Sequence, residues 1–330
     1  MKVMKKAKAV SPAKKAAKAA LGVAAVAAAV ADVACDYAIK RPNPNKKKPE
    51  TRDMYIKRNE LRKINNRKFF ELNPEDVAIK GITGLTMKGW FLPAEKETKR
   101  FVICVHGYHS NGPDEFSHMM PFYHYEMGYN MLLPDLTGHG RSSGKYVGFG
   151  SFDSKNILLW VDYLINRFGE DIEIILHGIS MGAATVMNCN EMSPQDQVKL
   201  VIEDCGYTST TAEMNNTLKD LWGFEVKPLV SLASVCSKVK AGYFFGESDP
   251  LKNMNKAKNP MLFIHGEADT FVPFEYGKQL YDACPVEKDY LWVPDAVHAF
   301  SYYDAKDEYN KKVKDFIAKH LDAKEEAVVK

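Results

Sequence analysis

HGISMGA, residues 177–183, follows directly on the apolar run IEIIL, residues 172–176, and leads into ATVMNCNEM, residues 184–192. The run before it has the length and composition of a strand buried on both faces. The residues after it are small or good helix formers. A strand that passes through G-x-S-x-G into a helix holds its serine on a tight, strained bend, and the glycines two residues to either side let neighbouring chains pass without a Cβ in the way. The helix that follows aims its first N–H groups at the place where negative charge develops. This stretch sets two expectations: an α/β fold with a mostly parallel sheet, and Ser180 as a nucleophile at the end of one strand.

The same pattern occurs in GHGRSSG, residues 138–144, centred on Ser142. Here both neighbours are wrong. DLTGHG precedes the serine and SGKYVGFGSFD follows it, so glycine-rich loop lies on both sides. The loop also falls short of a dinucleotide fingerprint, since Ser143 stands where G-x-G-x-x-G needs its third glycine. Ser142 reads as a loop residue and Ser180 as the nucleophile.

Working outward, RFVICVHG (100–107), YNMLLPD (129–135), KLVIEDCG (199–206), PMLFIHG (260–266) and YLWVPD (290–295) repeat the short apolar run that ends in a turn. Helical patterns separate them. In residues 151–169, Ile157, Leu158, Val161, Leu164, Ile165 and Phe168 line one face, and Ser151, Asp153 and Ser154 offer a cap. VAIKGITGLTMKGWFL (77–92) alternates around Gly81 and Gly84 as a β-hairpin does. A helix is expected over 54–70 and a long last helix over about 304–321. Alternating strands and helices give a three-layer α/β fold. Residues 207–250 break the rhythm and carry Trp222, Phe224, Tyr243, Phe244 and Phe245, which suggests a small helical lid over an apolar site.

A serine hydroxyl needs a histidine to take its proton, and the histidine needs an acid to fix its tautomer. HGEADTFVP offers Asp269 in the turn after one late strand, and DAVHAFSY offers His298 after the last. Asp269 fits a G-x-x-D turn and is preferred as the acid; Asp204, after KLVIE, is the rival, and Asp249 before Pro250 reads as a helix cap. His106 and His139 sit in loop motifs and read as structural hydrogen bonders.

Taken in order, VHGYHSNG, DLTGHGRSSG, HGISMGA, IEDCGYTS, HGEADTFVP and VHAFSY make the chain resemble the α/β-hydrolase superfamily over roughly residues 76–322, and more narrowly its serine-aminopeptidase-like or Bem46-like branch. The resemblance implies an acyl-enzyme on Ser180, proton transfer through His298, and orientation of His298 by Asp269. It also implies an oxyanion hole from the backbone N–H groups of Tyr108 and Met181, with no cofactor and no metal. The expected substrate is a small-molecule ester or related acyl compound. A peptidase or amidase with the same triad is an alternative, as is a non-catalytic binding protein on the same fold, although a retired site has no physical need of all three residues.

Composition bounds the rest. The net charge of +3 over 330 residues conceals a basic head: residues 1–50 hold 12 Lys and Arg against three acids. No nucleic-acid-binding motif occurs in the body. The six cysteines form no C-x-x-C pair and no His/Cys cluster at zinc spacing. The lysine-rich start, the apolar run AALGVAAVAAAVA (19–31) and the small pair Ala29 and Ala31 have the order of a signal peptide or membrane anchor. Residues 1–35 are assigned to that segment, 36–53 to a linker, and 54–325 to the hydrolase domain with its lid. An exported or membrane-anchored protein is expected. A solvated Ala/Lys helix on a cytoplasmic protein is the alternative, and a basic tail on nucleic acid a third reading. The sequence leaves the oligomeric state open.

Overall fold

The computed structural model describes residues 12–43, 52–192 and 194–322. Two helices lead, α1 (Pro12–Ile39) and α2 (Asp53–Glu71). The hairpin β1 (Glu75–Lys80) and β2 (Thr86–Leu92) follows, then β3 (Arg100–Val105), α3 (Gly112–Phe116), β4 (Asn130–Pro134), α4 (Ser151–Phe168), β5 (Glu173–Ile179), α5 (Met181–Glu191) and β6 (Val198–Asp204). After them come α6 (Thr210–Trp222), α7 (Lys227–Ala241), α8 (Pro250–Asn253), β7 (Met261–Gly266), α9 (Phe274–Ala283), β8 (Lys288–Val293), α10 (Ser301–Asp304) and α11 (Lys306–Ile317).

The strands form one sheet in the order β1-β2-β4-β3-β5-β6-β7-β8. The first two pair antiparallel, β2 pairs antiparallel with β4, and all later neighbours are parallel. The apolar runs of the sequence are β3 to β8. Every residue of β4 and β7 is buried, as expected of strands covered on both faces. Strand order reverses at β3, between β4 and β5, and such a switch point opens a crevice at the carboxyl ends of the strands. The turns that follow β3 and β5 meet there: a Cβ on Gly107 would lie 3.3 Å from the Ser180 Cβ.

Two expectations about the start of the chain need correction. Residues 36–39 are not linker but the last turn of α1, and Ala31, Cys35 and Ile39 are fully buried at i, i+4 and i+8. The Ile39 carbonyl accepts from Val147 N at 2.6 Å, and Arg41 N donates to the Lys145 carbonyl at 2.9 Å. The helix-forming apolar stretch also runs past the thirteen residues read from the sequence. Ala17–Ile39, 23 residues with an 18-residue window of mean hydropathy 1.8, is long and apolar enough by length and composition to cross a membrane. The lysines at 2, 5, 6 and 8 and residues 44–51 of the expected linker lie outside the described residues. At the other end the expected last helix is present as α11, continued by helical turn to Asp322 and set off from the short α10 at Ala305, where φ is −133° and ψ 44°.

The second G-x-S-x-G loop has a structural task. Ser142 Oγ accepts from Lys88 N at 2.9 Å and donates to the Asp135 carbonyl at 2.5 Å, tying the loop to β2 and to the end of β4. Its carbonyls then receive the Arg41 guanidinium, at 2.6 Å from both Ser142 O and Gly140 O. The decoy motif thus fastens the end of α1 to the body. Ser142→Ala strands the Lys88 N–H and is expected to cost about 1–3 kcal/mol, read as a lower urea midpoint. Labelling of the protein by a serine-directed fluorophosphonate is expected to persist in that variant.

Candidate active site

Ser180 lies between β5 and α5 with φ 58° and ψ −117°, a conformation that L-residues rarely adopt. Neighbouring strands enforce it. Ser180 N donates to the Asp204 carbonyl at 2.8 Å, and Ala184 N returns to the Ser180 carbonyl at 3.1 Å. Both flanking glycines are sterically required. A Cβ on Gly178 would collide with the Gly182 carbonyl, and one on Gly182 with the Val105 carbonyl of β3.

His298, in the loop after β8, spans the gap between serine and acid. Its Nε2 is 2.9 Å from Ser180 Oγ and its Nδ1 is 2.7 Å from Asp269 Oδ2. Asp269 stands in the turn after β7 and is buried. Its Oδ1 accepts from Phe271 N at 3.0 Å and Val272 N at 2.9 Å. Burial alone would raise this carboxyl, but the facing His298 and His265 rings and their hydrogen bonds outweigh it and hold the group at about 2. An acid ionised in this way accepts the Nδ1 proton of His298 and leaves Nε2 as the free base.

Asp204, the rival acid, is directed elsewhere. Its Oδ2 accepts from Tyr309 OH at 3.0 Å, and burial, partly offset by that bond, raises it to about 6. Asp249 caps α8, accepting from Lys252 N at 3.1 Å. His106 accepts from Leu136 N at 2.9 Å, and His139 accepts from His109 N at 3.2 Å; both hold loops in place. His177 lies between the hydroxyls of Tyr123 and Tyr309 inside the core.

Next to Asp204, burial raises Glu203 from 4.5 to about 8, with the Gly206 N–H partly offsetting it. A carboxyl raised on folding contributes stability that is full below its unfolded value and is lost as pH climbs through its folded value. The unmodified chain is therefore expected to lose Tm between pH 5 and pH 9. Glu203→Gln, which keeps an acceptor for Gly206, should flatten that loss in differential scanning fluorimetry; equal slopes would contradict the assignment.

A cavity of about 740 Å³ opens over Ser180 and His298, with Tyr108 and Met181 at its wall. Its remaining walls were not legible in the sequence. Tyr37 and Ala38 come from the end of α1, Tyr55 and Arg58 from α2, and Glu213, Met214 and Thr217 from α6. Tyr108 OH donates to the Ala38 carbonyl at 2.6 Å, so α1 is joined to the site itself. Glu213 is buried, and its Oε2 has no hydrogen-bond partner among the described residues. Burial first, then the nearby Asp269, pushes its carboxyl well above the ordinary range. His265, which faces Asp269 from outside this cavity with Nε2 3.4 Å from Oδ2, stands four residues before it in HGEAD and is the missed neighbour that carried a local signal.

Cys205, Asp269 and His298 bring ligand-type atoms within 4.8 Å of one another. Burial holds the Cys205 thiol well above its usual range, hence protonated, and both nitrogens of His298 are engaged by Ser180 and Asp269. In this arrangement neither the thiol nor the ring nitrogens are free to ligate an ion. The six cysteines are all free.

A model of the prolyl oligopeptidase family, Peptidase_S9, matches residues 115–324. Among curated proteins, YqkD of Bacillus subtilis is 27% identical over 78% of this chain and 83% of its own length. Human alpha/beta hydrolase domain-containing protein 17C is 26% identical over 58% of this chain and 50% of its own. Among solved structures, the Pyrococcus furiosus esterase Pf2001 superposes with a TM-score of 0.61 at 24% identity, over 77% of this chain and 95% of that one. Est1E of Butyrivibrio proteoclasticus, bound to ferulic acid, gives 0.57 at 19%, over 74% and 99%. The structural likenesses carry the fold, and the fold is that of the α/β hydrolases.

Proposed function

The chain belongs to the prolyl oligopeptidase family within the α/β-hydrolase superfamily, and from that premise we propose that it is a serine hydrolase that cleaves carboxylic esters or related acyl bonds through an acyl-enzyme on Ser180. The observation that carries the reading is the single file Ser180 Oγ, His298, Asp269, with contacts of 2.9 and 2.7 Å. Ser180 Oγ attacks the acyl carbon as His298 Nε2 takes its proton. The N–H groups of Tyr108 and Met181 hold the oxyanion, each worth about 3 kcal/mol. His298 then gives the proton to the departing oxygen, and water repeats the sequence to release the acid.

The esterases among the structural neighbours, and a cavity wall richer in aromatic and aliphatic groups than in charges, favour an ester. The family's peptidase name favours the second reading, amide or peptide cleavage with the same residues. The test is a fluorophosphonate adduct located by peptide mass on the full chain. An adduct on Ser180, absent in Ser180→Ala, supports the nucleophile; a folded protein that takes no label favours the non-catalytic reading. Short acyl esters against aminoacyl amides then decide the bond.

The same reading places the enzyme at a membrane through an uncleaved N-terminal helix. Cleavage after Ala31 would remove residues that pack on the body, since Ala31 is fully buried and Val26 and Val30 line a cavity with α6 and α7. The intact mass of the native protein and its partition between membrane and soluble fractions test this. A mass that begins after Ala31 would establish a cleaved signal peptide.

A further inference from the structure

Beside the cavity over Ser180 lies a second one of about 550 Å³, between α1 on one side and α6 and α7 on the other. The two are adjacent, for Tyr37, Ala38, Met214 and Thr217 line both. Their chemistry differs. The first is bordered by Arg58, Glu213 and Asp220, whereas no charged residue lines the second. Its walls are alanines, valines and leucines from α1, α6 and α7, closed by Trp222 and Phe245. From Ala38 beside the nucleophile to Val26 at the far end, the groove follows α1 for about 18 Å at the helical rise per residue. Ser180 itself lines the first cavity, and the groove borders that cavity at its Ala38 end.

The outer wall is held in position. Lys240 of α7 pairs with Asp32 at 2.6 Å and Asp36 at 2.7 Å, and Arg41 clamps the end of the helix to the Ser142 loop. These contacts fix α1 along another flank and leave its groove side without a protein partner: Val30, Val33 and Tyr37 are 46, 70 and 77% exposed. Such a trough is wide enough for a flexible hydrocarbon and offers nothing to a polar ligand along its length.

We propose that this groove is an acyl-chain subsite, that α1 is its outer wall, and that the enzyme's substrates are esters of long-chain fatty acids. The proposal rests on Ser180 as the nucleophile. The acyl carbonyl sits at Ser180, the chain runs between α1 and α6, and the alcohol leaves on the side of Tyr55 and Arg58. In the acyl-transfer step the Ser180 Oγ–carbonyl bond forms and the carbonyl–alkoxy bond breaks. His298 carries the Ser180 proton to the alcohol, and water later releases the fatty acid.

The test uses the full chain in phosphatidylcholine vesicles with p-nitrophenyl acetate, hexanoate and dodecanoate. Each buried methylene is worth up to about fourfold in kcat/KM, so the dodecanoate-to-acetate ratio is expected to exceed about 100. Ala34→Trp fills the groove from α1, and Leu221→Glu places a charge at an exposed position on its other rim; each should cut that ratio at least tenfold. Mere partition of the long ester into the vesicle would leave the ratio unchanged in both variants and overturn the proposal, as would a flat chain-length profile. A second readout does not need turnover. Photolysis of a diazirine-bearing hexadecanoic acid on Ser180→Ala protein should label residues 214–221, and Ala34→Trp should suppress it. Acetate hydrolysis lost in Ser180→Ala with no such labelling would sink the groove and spare the nucleophile. Labelling without hydrolysis of any ester would keep the groove and sink the hydrolase reading.

Discussion

Ser180→Ala is expected to lower kcat for a short acyl ester by about 10⁵-fold or more, to the residual rate that substrate binding and an oxyanion hole provide without a nucleophile. His298→Ala should fall to a similar level, and the double variant no further, because serine and histidine act in one proton transfer and their effects do not add. Asp269→Asn separates orientation from proton transfer. Its side chain can still accept from Phe271 N and Val272 N, so the turn stays folded, but it no longer fixes the tautomer of His298 and should cost about 10⁴-fold. Asp204→Asn supplies the contrast: its carboxylate faces Tyr309, the amide oxygen can still accept from that hydroxyl, and the loss should be below about tenfold. Steady-state kinetics on the four single variants, each checked by circular dichroism, decide the matter. A Ser180→Ala enzyme within tenfold of the unmodified one, or Asp204→Asn falling further than Asp269→Asn, would dismantle the assignment. The acid limb of the profile carries a further sign. With its carboxyl held at about 2, Asp269 contributes stability that is complete above its ordinary range and is lost only as pH falls toward 2. Acid inactivation above pH 4 must then come from another group.

What the sequence disclosed about this fold was whatever is written locally. Strands β3 to β7 are covered on both faces, so burial makes them continuous apolar runs, and no partner needs to be known to read them. The bend at Ser180 is equally local, since its constraint acts on residues two positions away. Asp269 and His298 were found through their place after strands and through family motifs, and the structure brings both to Ser180. The N-terminal helix was not legible, for a physical reason. An alanine-rich apolar run has the same composition whether it is cleaved, crosses a bilayer or docks on the body, and what docks it lies far along the chain. Arg41 reaches carbonyls about 100 residues on, and Asp36 pairs with Lys240. The cavity wall was hidden for the same reason. Glu213 stands in α6 with nothing around it in sequence to mark a buried carboxyl with one unpartnered oxygen; only the packing of α6 on the turn after Asp269, where Asn216 donates to the Phe271 carbonyl at 2.8 Å, makes it one. The aromatic residues of 207–250, read together as a lid, divide in the structure. Tyr243 and Phe245 are buried, while Trp222 and Phe224 remain 46 and 61% exposed.

Gly182→Ala sets two physical effects against each other, and the sign of the result says which one governs the serine turn. Gly182 is the second residue of α5, and by helix propensity alone alanine there should stabilise by up to about 1 kcal/mol. Packing predicts the reverse. The new methyl would run into the Val105 carbonyl at the end of β3 and lie 2.8 Å from the His106 carbonyl. These are backbone atoms, so no flexible side chain can yield. Relief requires α5 to lift from β3, and all of α5 is buried. The expected outcome is a loss of roughly 3–5 kcal/mol, in the range reserved for core overpacking at sites that cannot relax. Gly246→Ala is the control: it is exposed, its φ is unexceptional and its Cβ would meet nothing within 4 Å. That variant should unfold within about 0.5 kcal/mol of the unmodified chain, as ordinary surface substitutions do. Urea unfolding of the three proteins gives the comparison. Equal midpoints for Gly182→Ala and the unmodified chain would mean that β3 and α5 are not in contact, and with that contact would go the juxtaposition of Tyr108 and Ser180 on which the oxyanion hole depends. A Gly182→Ala protein that folds but is destabilised should also lose fluorophosphonate labelling out of proportion to its unfolded fraction, because lifting α5 withdraws the Met181 N–H and the strained serine together.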